Sequence, residues 1–97
     1  MADILRYEDF APHVGKSFRF EGWHGTLRLA SAEQGRERGN PAVTRDPFIL
    51  IFHGPRGDVL PQGLYTATVE DGARLDFYVM PIHTVAPDRQ EYQAVFS

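Results

Sequence analysis

The stretch LYTATVEDGARLDFYV, Leu64 to Val79, decides the fold class. Two runs rich in β-branched and aromatic residues flank Asp71-Gly72, and Asp-Gly supplies the positive φ of a tight hairpin turn at little steric cost. A two-residue turn there sets Thr68 opposite Leu75, Thr66 opposite Phe77 and Leu64 opposite Val79, with Tyr65 opposite Tyr78 on the other face. Both faces carry large side chains, so one is expected to be covered and the other partly exposed.

Upstream, Ser17 to Trp23 alternates, with Phe18 and Phe20 on one face and Arg19 and Glu21 on the other. His24-Gly25 can close a second two-residue hairpin, which puts Phe20 opposite Leu29, Gly22 opposite Leu27 and Glu21 opposite Arg28. Apolar residues then meet inside and opposite charges meet outside. Between the hairpins, Phe48-Ile49-Leu50-Ile51-Phe52 is apolar throughout, the pattern of a central strand buried on both faces. The segment from Glu91 to Phe96 adds a last strand with Tyr92, Ala94 and Phe96 on one face. Near the start, Tyr7, Phe10 and Val14 recur at i, i+3 and i+7 and predict a short helix. It begins near Glu8 or Asp9, tolerates Pro12 close to its start and stops at Gly15, placed to plug one end of a β core.

Six strands and one short N-terminal helix imply a mostly β protein. The expected architecture is a compact antiparallel six-stranded barrel or sandwich, with residues 1–97 as a single β domain. Closure is favoured because it removes exposed strand edges. Two segments, 34–47 and 54–63, read as loops, and the first is long for a chain of 97 residues.

Composition narrows the functions. A formal charge of −3 gives no general attraction to phosphate backbones, so nucleic acid is not an expected partner. The absence of cysteine excludes disulfides, thiolate catalysis and cysteine-based metal sites. No apolar stretch approaches the ~18 residues of a membrane helix, so no membrane partner is expected. The opening residues Met1 to Leu5 lack the basic and apolar regions of a signal peptide. Cytoplasmic synthesis is therefore expected, and it is compatible with later incorporation into a larger assembly.

Several segments together resemble a known family: Val14-Gly15 followed by Phe18, PFILIFHGP from Pro47 to Pro55, LPQGLY from Leu60 to Tyr65, Val79-Met80-Pro81, and EYQAVF from Glu91 to Phe96. They resemble a family of small bacterial domains of unknown function, often encoded beside proteins of the phage-tail-collar type. The resemblance spans nearly the whole chain and is carried by scaffold residues. It implies no catalytic residue, and it implies an accessory role in a phage-tail-like or surface assembly by association with neighbouring genes.

Chemistry-bearing residues are few. His24, His53 and His83 lie near strand ends, where three imidazoles could hold zinc, and with Tyr65 or Tyr78 they could line a barrel mouth. His13 belongs to the helix. None of the four has the local spacing of a metal motif, so no metal or other cofactor is assigned. Ser17, Ser31 and Ser97 lie outside any nucleophile-elbow pattern. Glu8 with Asp9, and Glu70 with Asp71, are explained by a helix start and a turn. Arg56-Gly57-Asp58 resembles an integrin-binding tripeptide but reads more simply as a solvated Gly/Pro turn.

Trp23 is the most informative residue. In the hairpin register above it pairs with Thr26 on the polar face shared by Arg19, Glu21 and Arg28, where a tryptophan must be either covered by another segment or exposed as an interface anchor. Trp23, Arg19 and Arg28 are thus the candidate interaction residues. The expected function is a non-enzymatic structural or protein-interaction module that works through a protein partner or self-association. The competing reading is a small-molecule binder or metal-dependent enzyme using the barrel mouth.

Overall fold

The computed structural model describes residues 5–34 and 47–96. Its strands are β1 (Ser17–Phe20), β2 (Thr26–Gln34), β3 (Phe48–Gly54), β4 (Gly63–Val69), β5 (Arg74–Pro81) and β6 (Gln90–Phe96). All pairings are antiparallel, and the strands close into a barrel in the order β1-β2-β3-β6-β5-β4. Of the two architectures that the patterning allows, the barrel is the one formed. Strands β4, β5 and β6 follow one another as hairpins while β3 lies beside β6, a Greek-key arrangement.

The inward positions supply one continuous core. Phe18, Phe20, Leu27, Leu29, Phe48, Leu50, Phe52, Ala67, Val69, Phe77, Val79, Tyr92 and Ala94 are all buried. Phe77 stacks on Phe52 at 5.8 Å and meets Phe18 and Phe20 edge-on. Eight strands enclose an interior just wide enough for side chains to fill, and six enclose less, so the side chains fill this barrel.

Each end of the barrel is stopped by a different segment. Helix α1 (Tyr7–Phe10) continues as a 3₁₀ turn (Ala11–His13), with Pro12 inside the turn and Gly15 at φ 92° beyond it. The helix starts at Tyr7, just before the expected Glu8 or Asp9, and the Asp9 carboxylate accepts the Arg6 N–H at 2.8 Å. Phe10, fully buried, meets Phe48, Phe77 and Phe96 at 5.3–5.8 Å and plugs this end. At the other end the β3–β4 loop crosses over. Leu60 is buried there, and its N–H donates to the Tyr92 hydroxyl at 2.9 Å. Arg56 fastens the same loop by donating to the carbonyls of Thr84, Ala86 and Arg89.

Both hairpin registers differ from those expected. In β1–β2, Phe18 faces Leu27, Arg19 faces Thr26 and Ser17 faces Arg28. A five-residue loop, 21–25, replaces the two-residue turn, because the chain already reverses at Phe20–Trp23, where the Trp23 N–H donates to the Phe20 carbonyl and Gly22 takes φ 88°. That is type II geometry, with glycine at the third turn position. The displacement is by an even number of residues, so the side chains that remain in the paired strands keep the faces predicted for them, while Glu21 and Trp23 leave the ladder for the loop.

In β4–β5 the slip is a single residue. Thr66 faces Asp76, Tyr65 faces Phe77, and Leu64 faces Tyr78. Glu70, Asp71 and Gly72 form a three-residue loop, in which the Gly72 N–H donates to Val69, Gly72 takes φ 101° and the Asp71 carboxylate accepts the Ala73 N–H. An Asp-Gly pair serves this turn as well as the two-residue one, with glycine in the left-handed position. The odd slip parts Leu64, Thr66 and Thr68 from the face of Phe77 and Val79 with which they were expected to pair: they face outward, and Tyr65, Ala67 and Val69 face inward. Strand β3 is also corrected: it is central in hydrogen bonding, but its outer face is open and Ile49 is exposed.

The joints of the ring are unequal. Strands β3 and β6 pair over seven residues, whereas the paired register between β5 and β6 covers only Met80 with Gln93 and Pro81 with Tyr92.

Burial holds the Tyr92 phenol above its ordinary value of 10.0, against the opposing effect of the Leu60 N–H. The folded state therefore resists ionisation, and its stability falls as pH rises past about 10. Tyr92→Phe should remove that alkaline loss. At neutral pH it should cost about 1–3 kcal/mol by stranding the buried Leu60 N–H, both readable in urea melts.

Candidate interaction surface

The antiparallel ladders put the outward side chains in ranks across neighbouring strands. One rank runs Arg74, Thr68, Arg19, Thr26 over β5, β4, β1 and β2. The next contains Ser17, Arg28, His53 and Glu91 over β1, β2, β3 and β6. A shallow cleft of about 450 Å³ over β1 is lined by Ser17, Arg19, Thr26, Thr68, Val69 and Glu70. Arg74 approaches Glu21 at 3.7 Å. Neither Arg19 nor Arg28 forms a salt bridge among the described residues. They are diagonal neighbours on paired strands, within reach of each other's long side chains.

Trp23 does not stand on this ladder. It belongs to the loop between β1 and β2, where its N–H closes the turn onto Phe20, and lies half-buried against the core. Its indole covers Gly25 so closely that an added Cβ there would meet the ring at 3.0 Å. His24 lies beside it at 5.6 Å and bonds the Asp58 carboxylate. The three candidates are therefore split. Arg19 and Arg28 share one outward patch, and Trp23 packs at the barrel end on which the β1–β2 loop closes.

The histidines are dispersed over separate settings. His24 joins Asp58 across two loops, His53 lies 3.4 Å from Glu91 on the outer wall, and His83 is exposed in the β5–β6 loop. His13 of the 3₁₀ turn faces Asp71 of the β4–β5 turn at 3.3 Å, next to an ion pair between Lys16, just before β1, and the same Asp71. Among the described residues, no three His, Asp or Glu side chains form a group that could hold a metal ion. Tyr65 points inward and donates to the Pro61 carbonyl, whereas Tyr78 faces out. The Arg56-Gly57-Asp58 tripeptide is engaged within the fold, Arg56 with three carbonyls and Asp58 with His24. The long loop expected at 34–47 lies, over 35–46, outside the described residues.

Burial, and then the Arg89 charge, hold the His53 imidazole below 6.5, with Glu91 opposing. Arg89 is itself bonded to Glu91 at 2.8 Å.

One outward rank escaped the sequence reading: Ile49, Val95, Tyr78 and Leu64, all exposed. The signal was present in the apolar alternation of Tyr65, Ala67 and Val69, which turns Leu64 outward.

The scaffold segments that set these ranks lie within residues 5–96, all of which match one family model. The chain belongs to the family described as Domain of unknown function (DUF6916). No curated protein and no solved structure matches it. Family membership assigns no residue a role. Among the described residues, no helix is long and apolar enough to cross a membrane.

Two outcomes follow for these residues. Stability contributed by His53 should be present above about pH 6.5 and be lost as pH falls through its lowered value, because the unfolded chain takes up the proton first. Denaturant melts between about pH 7.5 and about pH 5 should show this slope in the wild type and a flatter one in His53→Gln. Trp23→Ala should destabilise the monomer by about 2 kcal/mol, less than a fully buried tryptophan, as measured by the same melts.

Proposed function

We propose that the chain folds as one β domain and acts as a non-enzymatic structural or protein-interaction module, docking through the outside of its barrel. One observation carries this reading. The interior is filled by Phe18, Phe20, Phe52, Phe77 and Tyr92, and both ends are stopped, by Phe10 and by Leu60, so the wall and its loops are the surfaces on which recognition can occur. Arg19 and Arg28 support it, since arginine is over-represented at binding hot spots and neither of these two is neutralised by a carboxylate within the described fold. A role as an accessory to a phage-tail-like or surface assembly, entered after cytoplasmic synthesis, is supported by the family resemblance alone. The rival reading, a small-molecule binder or metal-dependent enzyme at the barrel mouth, would need His24, His53 and His83 to converge, and they occupy separate settings.

Affinity capture from the native host with quantitative mass spectrometry tests the module. The wild type should retain a specific partner, and the Arg19→Ala/Arg28→Ala variant should retain it at least about tenfold less while unfolding within about 0.5 kcal/mol of the wild type. Equal retention by the two proteins would remove this patch from the interface.

A further inference from the structure

On a barrel wall the outward positions normally carry polar side chains, one after another along each strand. The rank of Ile49, Val95, Tyr78 and Leu64 breaks that rule at every position, with exposures of 39%, 58%, 46% and 73%. Pairing sets Ile49 beside Val95 and Tyr78 beside Leu64. The β5–β6 register, Met80 with Gln93, carried forward by two residues, brings Tyr78 beside Val95. The four side chains thus make an unbroken apolar line across β3, β6, β5 and β4. Ile51, Gln93 and Met80, all uncharged and half-buried, form the adjoining rank.

We propose that this line is the centre of a homodimer interface. The inference deepens the interaction-module reading by naming a second copy of the chain as a partner, and it uses residues other than Arg19 and Arg28.

Size and symmetry point to the second copy. The line offers an apolar patch on the order of 400 Å², within the range of the largest patch on a monomer and about half of the ~800 Å² that each partner contributes to a standard interface. Interfaces divide into an apolar centre and a polar rim, so the patch has the size of such a centre. Glu33 at one end, and Thr66 and Asp76 at the flank, stand where the rim would be. A two-fold axis parallel to the strands, between β6 and β5, lays Ile49 and Val95 of one copy against Leu64 and Tyr78 of the other. Every member then meets an apolar counterpart, with no need for a second, different surface. No charge lies within the line, so an acidic or basic partner would gain nothing from it. Each copy carries a net charge of −3, which makes the copies repel at long range. Association should therefore strengthen when salt screens that repulsion.

Sedimentation velocity from about 1 μM to about 1 mM protein, a window spanning weak to moderate affinities, is the test. The wild type should move from 11.0 kDa toward twice that mass as concentration rises, and more readily at higher salt. Leu64→Glu and Val95→Glu should each raise the dissociation constant at least tenfold, with circular dichroism and melting unchanged because both side chains face outward. Leu64→Ser and Tyr78→Ser give the same readout should a glutamate disturb the strand, and Arg19→Gln should leave dimerisation untouched. A wild type that stays at 11.0 kDa over the whole range, or a Leu64→Glu variant that dimerises like it, overturns the proposal. A monomer that still captures a partner through Arg19 and Arg28 would sink the dimer and leave the module standing. Dimers that persist in Arg19→Ala/Arg28→Ala, with no other partner captured, would do the reverse.

Discussion

Phe77 is where the parts of this protein meet. Its ring stacks on Phe52 of β3, receives Phe18 and Phe20 of β1 edge-on, and touches Phe10 of the helix and Phe96 of β6. Aromatic pairs in these offset and edge-to-face arrangements add stabilisation beyond the area they bury. The ring has to lie at one height in the barrel for all these contacts to form together, which fixes the stagger of β5 against its neighbours. The helix, the barrel and the last strand are consequently one packing problem. Gly54 shows how little slack is left: a Cβ there would stand 2.4 Å from Leu27 and 3.3 Å from Tyr92.

How the strands face was largely legible, because inward and outward positions alternate with a period of two wherever only one side is buried. Phe18, Phe20, Leu27 and Leu29 were assigned correctly even though their hairpin was closed at the wrong place, since the displacement was even. The Asp71-Gly72 hairpin failed for the complementary reason. The dipeptide suits two turns that differ by one residue, and one residue moves all of β4 to its other face. Ala67 and Val69 against Thr66 and Thr68 held the correct answer, but threonine is common in strands and does not announce which side it takes. The apolar run at Phe48–Phe52 misled differently. A run apolar at every position predicts cover on both faces, yet Ile49 and Ile51 look outward.

The candidate site was less legible than the fold. Arg19 and Arg28 could be placed on one face from alternation alone, and the structure sets them on paired strands. Trp23 could not, because a loop residue has no periodicity, and its half-buried packing depends on Gly22 turning the chain and Gly25 leaving room for the indole. The exposed apolar line was legible only in part, for another reason. It draws one residue from each of four strands, and only the registers reveal that they stand together.

The short pairing between β5 and β6 has a consequence for how the protein breathes. A ring has no edges until one joint parts, and then it has two. Five of the joints here are held by three or more residue pairs, and the sixth by two. Opening free energies within a protein vary with how much contact each cooperative unit must give up. At this joint other contacts make up for the short ladder: the Ile82 N–H donates to the Glu91 carbonyl, Phe77 of β5 approaches Phe96 of β6, and the Phe10 plug touches both rings and so bridges the two strands. A change that loosens the helix would remove that bridge and leave β5 and β6 with less to hold them against parting into edges able to pair with other chains.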